Sequence, residues 1–463
     1  MKRYSFLLYI VAFLSAGLLE SCQLGKHYVR PEVRLPEQLD SVQADSASIA
    51  DMAWEDFYQD STLQVLIRKT LDNNKDLLMA AARVKELAAM KRVDYADLFP
   101  KMGISTYGEK EGLDEGGQKY SPSNKFYMRA TISWELDLWG NLRWARDKSM
   151  AEFLGSIENQ RALRMSMIAQ VAQSYFELVA LDNELSIVRK TVKARKDGLH
   201  LTHIRYLGGL TNETPYRQAQ VELARTMTLL PDLEKKVAMK ANEIAVLMGE
   251  NPHDICRKAL PAEVELPTSL PVGLPSTLLE RRPDIRKAEQ SLKAAHAAVG
   301  QAYTNLFPRL TLTASAGSES KELENMLKSP YHLFSGALIT PIFNMGKNRA
   351  SLKAKKAAYE QSVYAYEKSV IEAFKEVSNA IINFNKSREI YESRLYLEQA
   401  SNSALDLAKL QYINGVIGYL DLLDAQRSYL DAQIGLSNSI RDKQISTVLL
   451  YKALGGGWED ARP

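Results

Sequence analysis

The sequence predicts a mixed fold, in which long coiled-coil α-helices continue strands of a transmembrane β-barrel and the whole arrangement occurs twice along the chain. Three observations predict it. The two halves match at a nearly constant offset, each half contains residues that alternate between apolar and polar, and each contains helix-compatible segments of unusual length. With 46% hydrophobic residues, the 463-residue chain can also form a sizeable core.

The internal repeat is visible as matching residues at one spacing. Leu98-Phe99-Pro100 recurs 208 residues later as Leu306-Phe307-Pro308, and Ala219-Gln220 recurs 206 residues later as Ala425-Gln426. Further pairs at the offset of 206 are Gly140 and Gly346, Tyr206 and Tyr412, Gly209 and Gly415, and Gly249 and Gly455. An offset this steady predicts a duplicated structural unit.

The repeat suggests a division of the chain. The segments are a signal peptide (1–21), a lipid-anchored linker (22–60), a first structural repeat (61–255), a Pro-rich linker (256–275), a second structural repeat (276–456) and a C-terminal tail (457–463). Each repeat is expected to hold a helix, a strand pair and two long helices. The strand pairs and long helices are expected at 100–138, 145–204 and 213–248, and again at 308–342, 348–411 and 419–454.

The N-terminus has the features of an export signal. Lys2 and Arg3 precede an apolar run, 6–19, which is long enough for a signal-peptide core but too short for a stable membrane-spanning helix. Leu19-Glu20-Ser21-Cys22 resembles a bacterial lipobox, in which Cys22 becomes the lipidated first residue; plain secretion is the alternative. Gln23 after the cysteine favours the outer membrane by analogy with lipoprotein sorting. With Cys22 acylated, Cys256 has no partner, so no disulfide is expected.

One segment in each half alternates cleanly, as a strand with one apolar face does. Residues 128–138 place apolar side chains at even positions and Arg129, Thr131, Ser133, Glu135 and Asp137 between them, and residues 310–317 alternate in the same way. Strands of this kind are typical of membrane barrels. The edge of a soluble sandwich is the alternative on this pattern alone. Residues 329–340 alternate less cleanly, so the position of the fourth strand stays open.

The helical segments favour the barrel. Residues 145–204 contain no proline, and a helix of this length spans ~80 Å or more. Its apolar residues fall on a seven-residue repeat, which predicts coiled-coil packing. The repeat positions are Val171, Leu178, Leu185 and Val192, with Ile168 and Tyr175 on the companion position.

Four strands per chain cannot close a barrel, and open edges in lipid would leave backbone groups without hydrogen bonds. Two chains would give eight strands and three would give twelve. Eight-stranded barrels are filled by side chains, whereas larger ones open a lumen. The polar row that contains Arg129, Thr131 and Glu135 suits a wet lumen, so a trimer is favoured.

Five sequence strings, in order around the repeat, resemble one protein family. They are CQLGKHYVRPEVRLP from Cys22, LLERRPDIRKAE at 278–289, PIFNMGKNRA at 341–350, LDLLDAQRSYLDAQ at 420–433 and YKALGGGW at 451–458. The chain resembles the TolC-like outer-membrane efflux factors, in their lipoprotein (OprM-type) branch.

The resemblance implies an architecture and a location. It implies a homotrimer in the outer membrane of a Gram-negative bacterium, with a twelve-stranded barrel above a long periplasmic α-barrel. The implied partners are a periplasmic adaptor (membrane fusion) protein and an inner-membrane pump, commonly proton-driven. Nucleic acid is not an expected partner, because 59 basic and 56 acidic residues leave a net charge of only +3.

Two closely spaced carboxylates lie among leucines at 420–424. Asp421 and Asp424 are three residues apart, and the residues 206 positions earlier are Pro215 and Gln218. The repeat therefore retains the scaffold but not the charges. Helix capping is one explanation, and it is stronger for Asp421 than for Asp424.

The resemblance offers a functional explanation. In the family the periplasmic tip forms a constriction, and the motif matches the acidic ring at Asp421 and Asp424. Rings of carboxylates select cations. Leu420 and Leu423 would add an apolar constriction, and the turn at Gly415 and Gly418 is the expected hinge.

The predicted function is a passive exit duct for small molecules. A duct for type I protein secretion and a lipid-anchored coiled-coil scaffold without a pore are the alternatives. The sequence has no P-loop, G-x-S-x-G or H-E-x-x-H motif and no zinc-type cysteine pair, so no enzyme is predicted. His200 and His203 have a spacing compatible with a metal, but two histidines without further ligands predict no metal site, and the lipid on Cys22 is the single expected attachment.

Overall fold

The computed structural model describes residues 23–33, 48–111, 114–115, 118–119, 123–255, 257 and 275–458. The predicted signal peptide, Cys22, Cys256, residues 34–47 of the first predicted linker and residues 258–274 of the second lie outside the described residues. Across these residues the chain is mostly helical and contains one four-stranded sheet, as the sequence predicts. None of the described helices is both long enough and apolar enough to cross a membrane.

The first half of the described chain forms five helices and four strands. They are α1 Trp54–Phe57, α2 Ser61–Asn73, α3 Lys75–Ala96, β1 Lys101–Glu111, β2 Asp114–Glu115, β3 Gln118–Lys119, β4 Ser123–Leu136, α4 Asn141–Leu207 and α5 Glu213–Leu247. The second half follows with α6 Pro275–Arg281, α7 Pro283–Thr304, β5 Arg309–Ser320, β6 Pro330–Ile339, α8 Lys347–Ile413 and α9 Tyr419–Ala453. Two 3₁₀ helices, Ile49–Asp51 and Leu323–Lys328, complete the regular structure of these residues.

The long helices of the two halves have equal lengths. α4 and α8 contain 67 residues each, and α5 and α9 contain 35 each. At 1.5 Å per residue, α4 and α8 each measure about 100 Å along their axes.

The chain folds into two compact units, and each takes segments from both halves of the sequence. The first combines Met1–Val33, Ala82–Glu158 and Arg286–Ser369, and the second combines Arg34–Ala81, Asn159–Ile285 and Val370–Pro463.

The first unit contains the sheet, whose strands follow the order β1-β4-β5-β6 with antiparallel pairing throughout. Alternate side chains lie on opposite faces. On β4, Met128, Ile132 and Trp134 are exposed, whereas the polar residues between them are partly covered. On the covered face the hydroxyls of Thr131 and Ser315 are 3.0 Å apart. The sheet therefore presents an apolar face to its surroundings and a polar face on the other side.

The fourth strand, whose position the sequence left open, is β6. It pairs with β5 from Ser318 opposite Pro330 to Arg309 opposite Ile339. Its alternation is weak because Leu333 and Phe334 are adjacent and both are exposed. An edge strand has one free side, so its side chains need not follow the burial pattern of a central strand.

The second unit is built on the heptad positions of the long helices. Val171, Leu178, Leu185 and Val192 of α4 are all buried, and so are Ile168 and Tyr175. Around them the ring of Phe57 stacks on Tyr451 with 4.1 Å between centroids, and the Tyr451 hydroxyl donates to the Met52 carbonyl at 2.7 Å. These contacts join residues from both ends of the chain into one core.

The two arginines before α7 are held by carboxylates. Arg281 pairs with Asp51, and Arg282 donates at 2.6 Å to both Asp284 and Glu376. Arg282 is buried, and it also donates at 3.0 Å to the Ala453 carbonyl near the end of α9. Its place at a helix start is thus compensated by nearby acids and a helix C-terminus.

Candidate functional site

The turn between α8 and α9 carries the residues that the sequence singles out. Gly415 ends α8 in the left-handed region, with φ of 75°. Its N–H donates to Tyr412 O at 3.1 Å and the N–H of Val416 donates to Gln411 O at 2.9 Å, which together form a Schellman motif. A residue with a side chain would be strained at this φ, so Gly415 fixes where the helix stops.

Asp421 caps helix α9. The helix begins at Tyr419, and its N-cap residue, Gly418, has no side chain to accept a hydrogen bond. The Asp421 Oδ2 atom accepts from the Gly418 N–H at 3.0 Å instead. Capping is therefore a real role of Asp421, while its carboxylate remains at the exposed surface.

Asp424 lies one turn further along α9 and is also exposed. The backbone N–H groups that need caps belong to the first turn of the helix, and Asp424 lies beyond that turn. Its negative charge is one of the causes that raise the pKa of Arg427, after the larger effect of the hydrogen bond between Arg427 and Glu222. Asp424 thus shares the exposed side of α9 with Asp421.

The two leucines predicted for the constriction differ in burial. Leu420 is 60% exposed, whereas Leu423 is 1% exposed. Leu423 packs in a cluster with Ala219, Leu405, Ala408, Tyr419 and Leu422. In this conformation Leu420 is the leucine at the surface beside the acids, and Leu423 joins α9 to the rest of the unit.

A buried ionic cluster lies behind the acids. Glu222 of α5, with 3% of its side chain exposed, accepts hydrogen bonds from Arg195 of α4 and Arg427 of α9. Arg225 is a third, exposed neighbour at 3.4 Å. The hydrogen bond from Arg427 is the largest cause that lowers the pKa of Glu222, which falls to about 2. One ionised carboxylate therefore connects three long helices.

The same geometry recurs at the other hairpin, between α4 and α5, without the acids. Gly209 has φ of 69° and donates to Tyr206 O at 3.0 Å, and the N–H of Leu210 donates to Arg205 O at 2.9 Å. Here Asn212 caps the helix through its own side chain, which accepts from Thr214 N at 3.2 Å.

His203, which lies near this hairpin, stacks on Tyr216 with ring centroids 4.6 Å apart. Within the described residues no three His, Cys, Asp or Glu side chains are grouped as metal ligands.

Residues that follow Cys22 contact the first unit closely. The side chain of Gln23 donates to Asp147 at 3.1 Å, the Leu24 N–H donates to Trp139 O at 3.1 Å, and the Trp144 indole donates to Leu24 O at 2.9 Å. A Cβ on Gly300 would collide with the Trp144 ring, so the indole fits against glycine there. Gln23 and Leu24 are therefore held in place by hydrogen bonds within the first unit.

The family model for outer membrane efflux proteins matches the chain twice, over residues 66–250 and 274–456. The chain belongs to the outer membrane efflux protein family. This efflux protein is 32% identical over 467 residues to outer membrane protein OprJ of Pseudomonas aeruginosa, covering 98% of this chain and 96% of OprJ. It is 31% identical over 458 residues to the toluene efflux pump outer membrane protein TtgC of Pseudomonas putida, covering 96% of this chain and 94% of TtgC.

A third relative is the probable outer membrane lipoprotein SilC of Salmonella typhimurium, 30% identical over 465 residues, with 98% of this chain and 99% of SilC covered. Among solved structures, the open state of the MtrE outer membrane channel of Neisseria gonorrhoeae matches with a TM-score of 0.85 and 29% identity, over 95% of this chain and 99% of MtrE. A membrane protein from Pseudomonas aeruginosa matches with a TM-score of 0.89 and 29% identity, over 95% and 99%.

The comparisons confirm the family that the five strings predict. In this efflux protein the structure brings Leu420, Asp421 and Asp424 onto one exposed side of α9, next to Gly415 and Gly418. Cys22 lies outside the described residues. The roles of all these residues in gating, hinge motion and lipid attachment stay predictions.

The buried Glu222 is a functional candidate that the sequence did not single out. The buried residues of α5 include Ala219, Glu222, Thr226 and Leu233, at spacings of 3, 4 and 7. A glutamate within this apolar heptad pattern is the signal that could have identified it, because a buried carboxylate in a coiled coil requires a partner.

Proposed function

We propose that this efflux protein is the outer-membrane exit duct of a tripartite efflux system, and that three copies enclose one passive conduit. A periplasmic adaptor and an inner-membrane pump would deliver the cargo, and the pump would supply the energy and the choice of substrate. The observation that carries the proposal is the sheet, whose polar face is backed by an exposed apolar face.

The edges of that sheet support closure between copies. β1 and β6 are the outer strands, and each pairs on one side only within the described chain. Their apolar side chains are strongly exposed, for example Met102 of β1 at 77% and Phe334 of β6 at 78%. Pairing of β6 with β1 of the next copy would satisfy both edges, and three copies would close twelve strands around a wet lumen.

The exposed apolar segment after β6 supports contact between copies. Ile342, Phe343 and Met345 have more than three quarters of their surface exposed. Contiguous apolar residues of this kind mark interaction sites, and another copy of the chain is the partner that a closed barrel requires.

The gate is proposed at the α8–α9 turn. Three copies would place Asp421 and Asp424 in two acidic rings, with Leu420 as the apolar element beside them. Rings of carboxylates favour cations and disfavour anions in a narrow pore. Opening would move α9 about the turn that contains Gly415 and Gly418, against the tie that Glu222 makes to Arg427.

The cargo is proposed to be small toxic molecules. The names of the relatives include toluene efflux, and a further relative at 30% identity is the cation efflux system protein CusC of Escherichia coli. The family therefore includes members named for toluene efflux and for cation efflux. Selection by the pump accounts for such variety.

The lipid anchor is proposed at Cys22. It is supported by the lipobox resemblance and by the lipoprotein description of the relative SilC. Labelling cells with palmitate should mark the wild-type protein and leave Cys22→Ser unmarked. Normal palmitate incorporation in Cys22→Ser would contradict the assignment.

Conductance across a planar bilayer tests the duct. Purified protein with Asp421→Ala and Asp424→Ala should give large, stable ion conductance, because the charges at the tip are removed. The matched control is Glu213→Ala, an exposed acid in the first turn of α5. A protein that conducts no ions even with both acids replaced would support the scaffold without a pore. Secretion of a co-expressed protein substrate with its own pump would favour the type I duct.

A further inference from the structure

The polar face of the sheet in the first unit carries an aromatic cluster built around Arg129. The register places Tyr107 opposite Tyr127, and places Arg129 opposite Gly317, which in turn pairs with Tyr331. Paired residues of an antiparallel sheet point to the same face, so these side chains lie together with Thr131 and Ser315.

The guanidinium of Arg129 lies between two tyrosine rings. Its central carbon is 4.1 Å from the ring centroid of Tyr127 and 4.2 Å from that of Tyr331. These distances are typical of cation–π contacts. Tyr107 extends the group by stacking on Tyr127, with centroids 5.2 Å apart and ring planes at 22°. The result is a row of three rings and one guanidinium across all four strands.

Glycine makes the arrangement possible. Tyr331 is two strands away from Arg129, and Gly317 lies between them in the register. A Cβ at Gly317 would collide with the Met128 carbonyl oxygen. With no side chain at this position, the guanidinium can pass over β5 and reach Tyr331.

The cluster lies at one end of the sheet. Tyr107 is four residues before the end of β1 at Glu111, and Tyr127 is four residues after the start of β4 at Ser123. Tyr331 is the second residue of β6. This is the end where the strands turn into one another, whereas the opposite ends of the strands continue into helices α3, α4, α7 and α8.

Towards the helices, the polar face carries many small and hydroxyl side chains, together with Leu333, Glu135 and Lys101. The small and hydroxyl residues include Ser105, Thr131, Ser133, Thr313, Ser315 and Ser335. Among the described strand residues of this face, the aromatic ones are the three tyrosines of the cluster. A molecule that moves along it from the helical end meets aromatic rings only at the far end.

Charge at the cluster is balanced. Glu319 pairs with Arg129 and lies 3.6 Å from Lys125, and Glu109 is opposite Lys125 in the register. Two cations thus face two carboxylates. Selection by net charge is weak in such a place, and contact through ring faces dominates.

We propose that Tyr107, Tyr127 and Tyr331, held by Arg129, form a stacking site for planar aromatic cargo at the outward end of the conduit. The inference rests on the proposed function, because it requires the polar face to be the lumen. In a trimer the site occurs three times around the exit. Uncharged aromatic molecules stack on the exposed ring of Tyr107, and the acids of the α8–α9 turn separately contribute a preference for cations.

Residence times of current blocks test the site. Naphthyl glucoside and cyclohexyl glucoside share a sugar and have no charge, and they differ in the planarity of the aglycone. In the Asp421→Ala, Asp424→Ala channel, naphthyl glucoside should block for longer. Tyr107→Leu should shorten the naphthyl block about fivefold, since an aromatic pair contributes on this order. Tyr107→Phe should retain the long block, because it keeps the ring.

The matched control is Phe334→Leu, which removes an exposed ring from the apolar face of β6. It should leave both blocks unchanged. An unchanged naphthyl block in Tyr107→Leu, or an equal loss for both glucosides, would overturn the stacking site while ion conductance continued to support the duct. Absence of ion conductance in the parent channel would overturn the duct itself and the stacking site with it.

Discussion

The two hairpin turns of the second unit have the same backbone and different chemistry. Both end a 67-residue helix with a Schellman motif at a left-handed glycine, Gly209 in the first and Gly415 in the second, and both begin a 35-residue helix four residues later. The first is capped by Asn212 and continues with Pro215 and Gln218, where the second has Asp421 and Asp424.

This difference separates the residues that form the turn from Asp421 and Asp424, which the turn does not require. Since the first hairpin forms the same turn with an asparagine cap, neither acid is needed for the turn itself. Asp421 supports the helix start by accepting from the Gly418 N–H, whereas Asn212 accepts from Thr214 N of the helix that it begins, and Asp424 lies too far along α9 to do either. The structure of the turn therefore does not account for both charges of the second hairpin, which agrees with the gate proposed above.

The largest expected effect comes from removing the ion pairs of Glu222 with Arg195 and Arg427, which connect the two hairpins. Glu222→Gln removes the carboxylate that Arg195 and Arg427 share, and leaves the charge of the buried Arg195 uncompensated there. Loss of one member of a buried pair costs about 3 kcal/mol of unfolding free energy. Urea unfolding of the purified protein should show a lower midpoint with an unchanged slope.

The control for that change is Glu213→Gln in the first hairpin, where an exposed pair at 2.7 Å to Arg217 is lost. Exposed pairs contribute less than about 1 kcal/mol. Equal midpoints for the two variants would show that Glu222 does not hold the hairpins together.

The contribution of Glu222 to the free energy of unfolding should also persist at mildly acidic pH. The pKa of Glu222 is lowered to about 2, so its contribution is complete above the unfolded pKa of about 4.3 and is lost as the pH falls through about 2. The difference in stability between wild type and Glu222→Gln should therefore stay constant from about pH 7 to about pH 5 and shrink below about pH 4. A difference that disappears already at about pH 6 would be incompatible with this carboxylate as the cause.

A smaller effect is expected from moving charge between the hairpins. Asp421→Asn with Asp424→Asn should lower the cation-over-anion permeability ratio of the channel about fivefold, since a charge at contact distance in water contributes ~1 kcal/mol. Adding Gln218→Glu to the neutralised channel should restore part of the preference. Reversal potentials in a salt gradient measure both. If the ratio is the same in all three proteins, the acids do not line the pore.

Substitution of Gly209 and Gly415, the glycines at the two helix ends, tests which hairpin moves. Gly209→Ala and Gly415→Ala should each cost ~1 kcal/mol, because both residues occupy the left-handed region and no heavy atom lies within 4 Å of an added Cβ. If the second hairpin is the moving one, only Gly415→Ala should slow channel opening in single-channel records. Equal slowing by both would remove the distinction between the hairpins.

The smallest expected effect concerns the cap. Asp421→Ala should cost about 0.5–1 kcal/mol of helix stability. Adding Gly418→Asn, which imitates Asn212, should recover it, because Gly418 already has the extended φ and ψ of an N-cap, −77° and 165°. Circular dichroism during thermal unfolding measures the change. Failure of Gly418→Asn to recover any stability would mean that capping is not what Asp421 contributes.

Local patterns in the sequence were sufficient for much of the fold. The alternation around Arg129 indicated β4, and the heptad from Val171 to Val192 indicated the buried side of α4, because each pattern is read within one element. β6 was harder to place, since an edge strand with exposed Leu333 and Phe334 has little alternation to detect.

The candidate site was predictable only in part. Leu420 and Leu423 both adjoin acids in the sequence, but the buried side of α9 contains Tyr419, Leu422 and Leu423, so the helix turns Leu423 inward and leaves Leu420 with the acids. The pair of Glu222 and Arg427 could not be found from local pattern, because the partners are 205 residues apart and meet only through packing of three helices.

The equal lengths of the paired helices also constrain how this protein can vary. Deleting one residue from α8 would shorten it by about 1.5 Å and rotate its remaining residues by about 100°, so the turn and α9 would shift together and Arg427 would move away from Glu222. The same deletion in α4 would displace Arg195 instead. Insertions and deletions within these helices should therefore be tolerated only in compensating pairs, one in each hairpin, because only such pairs keep Glu222 within reach of Arg195 and Arg427.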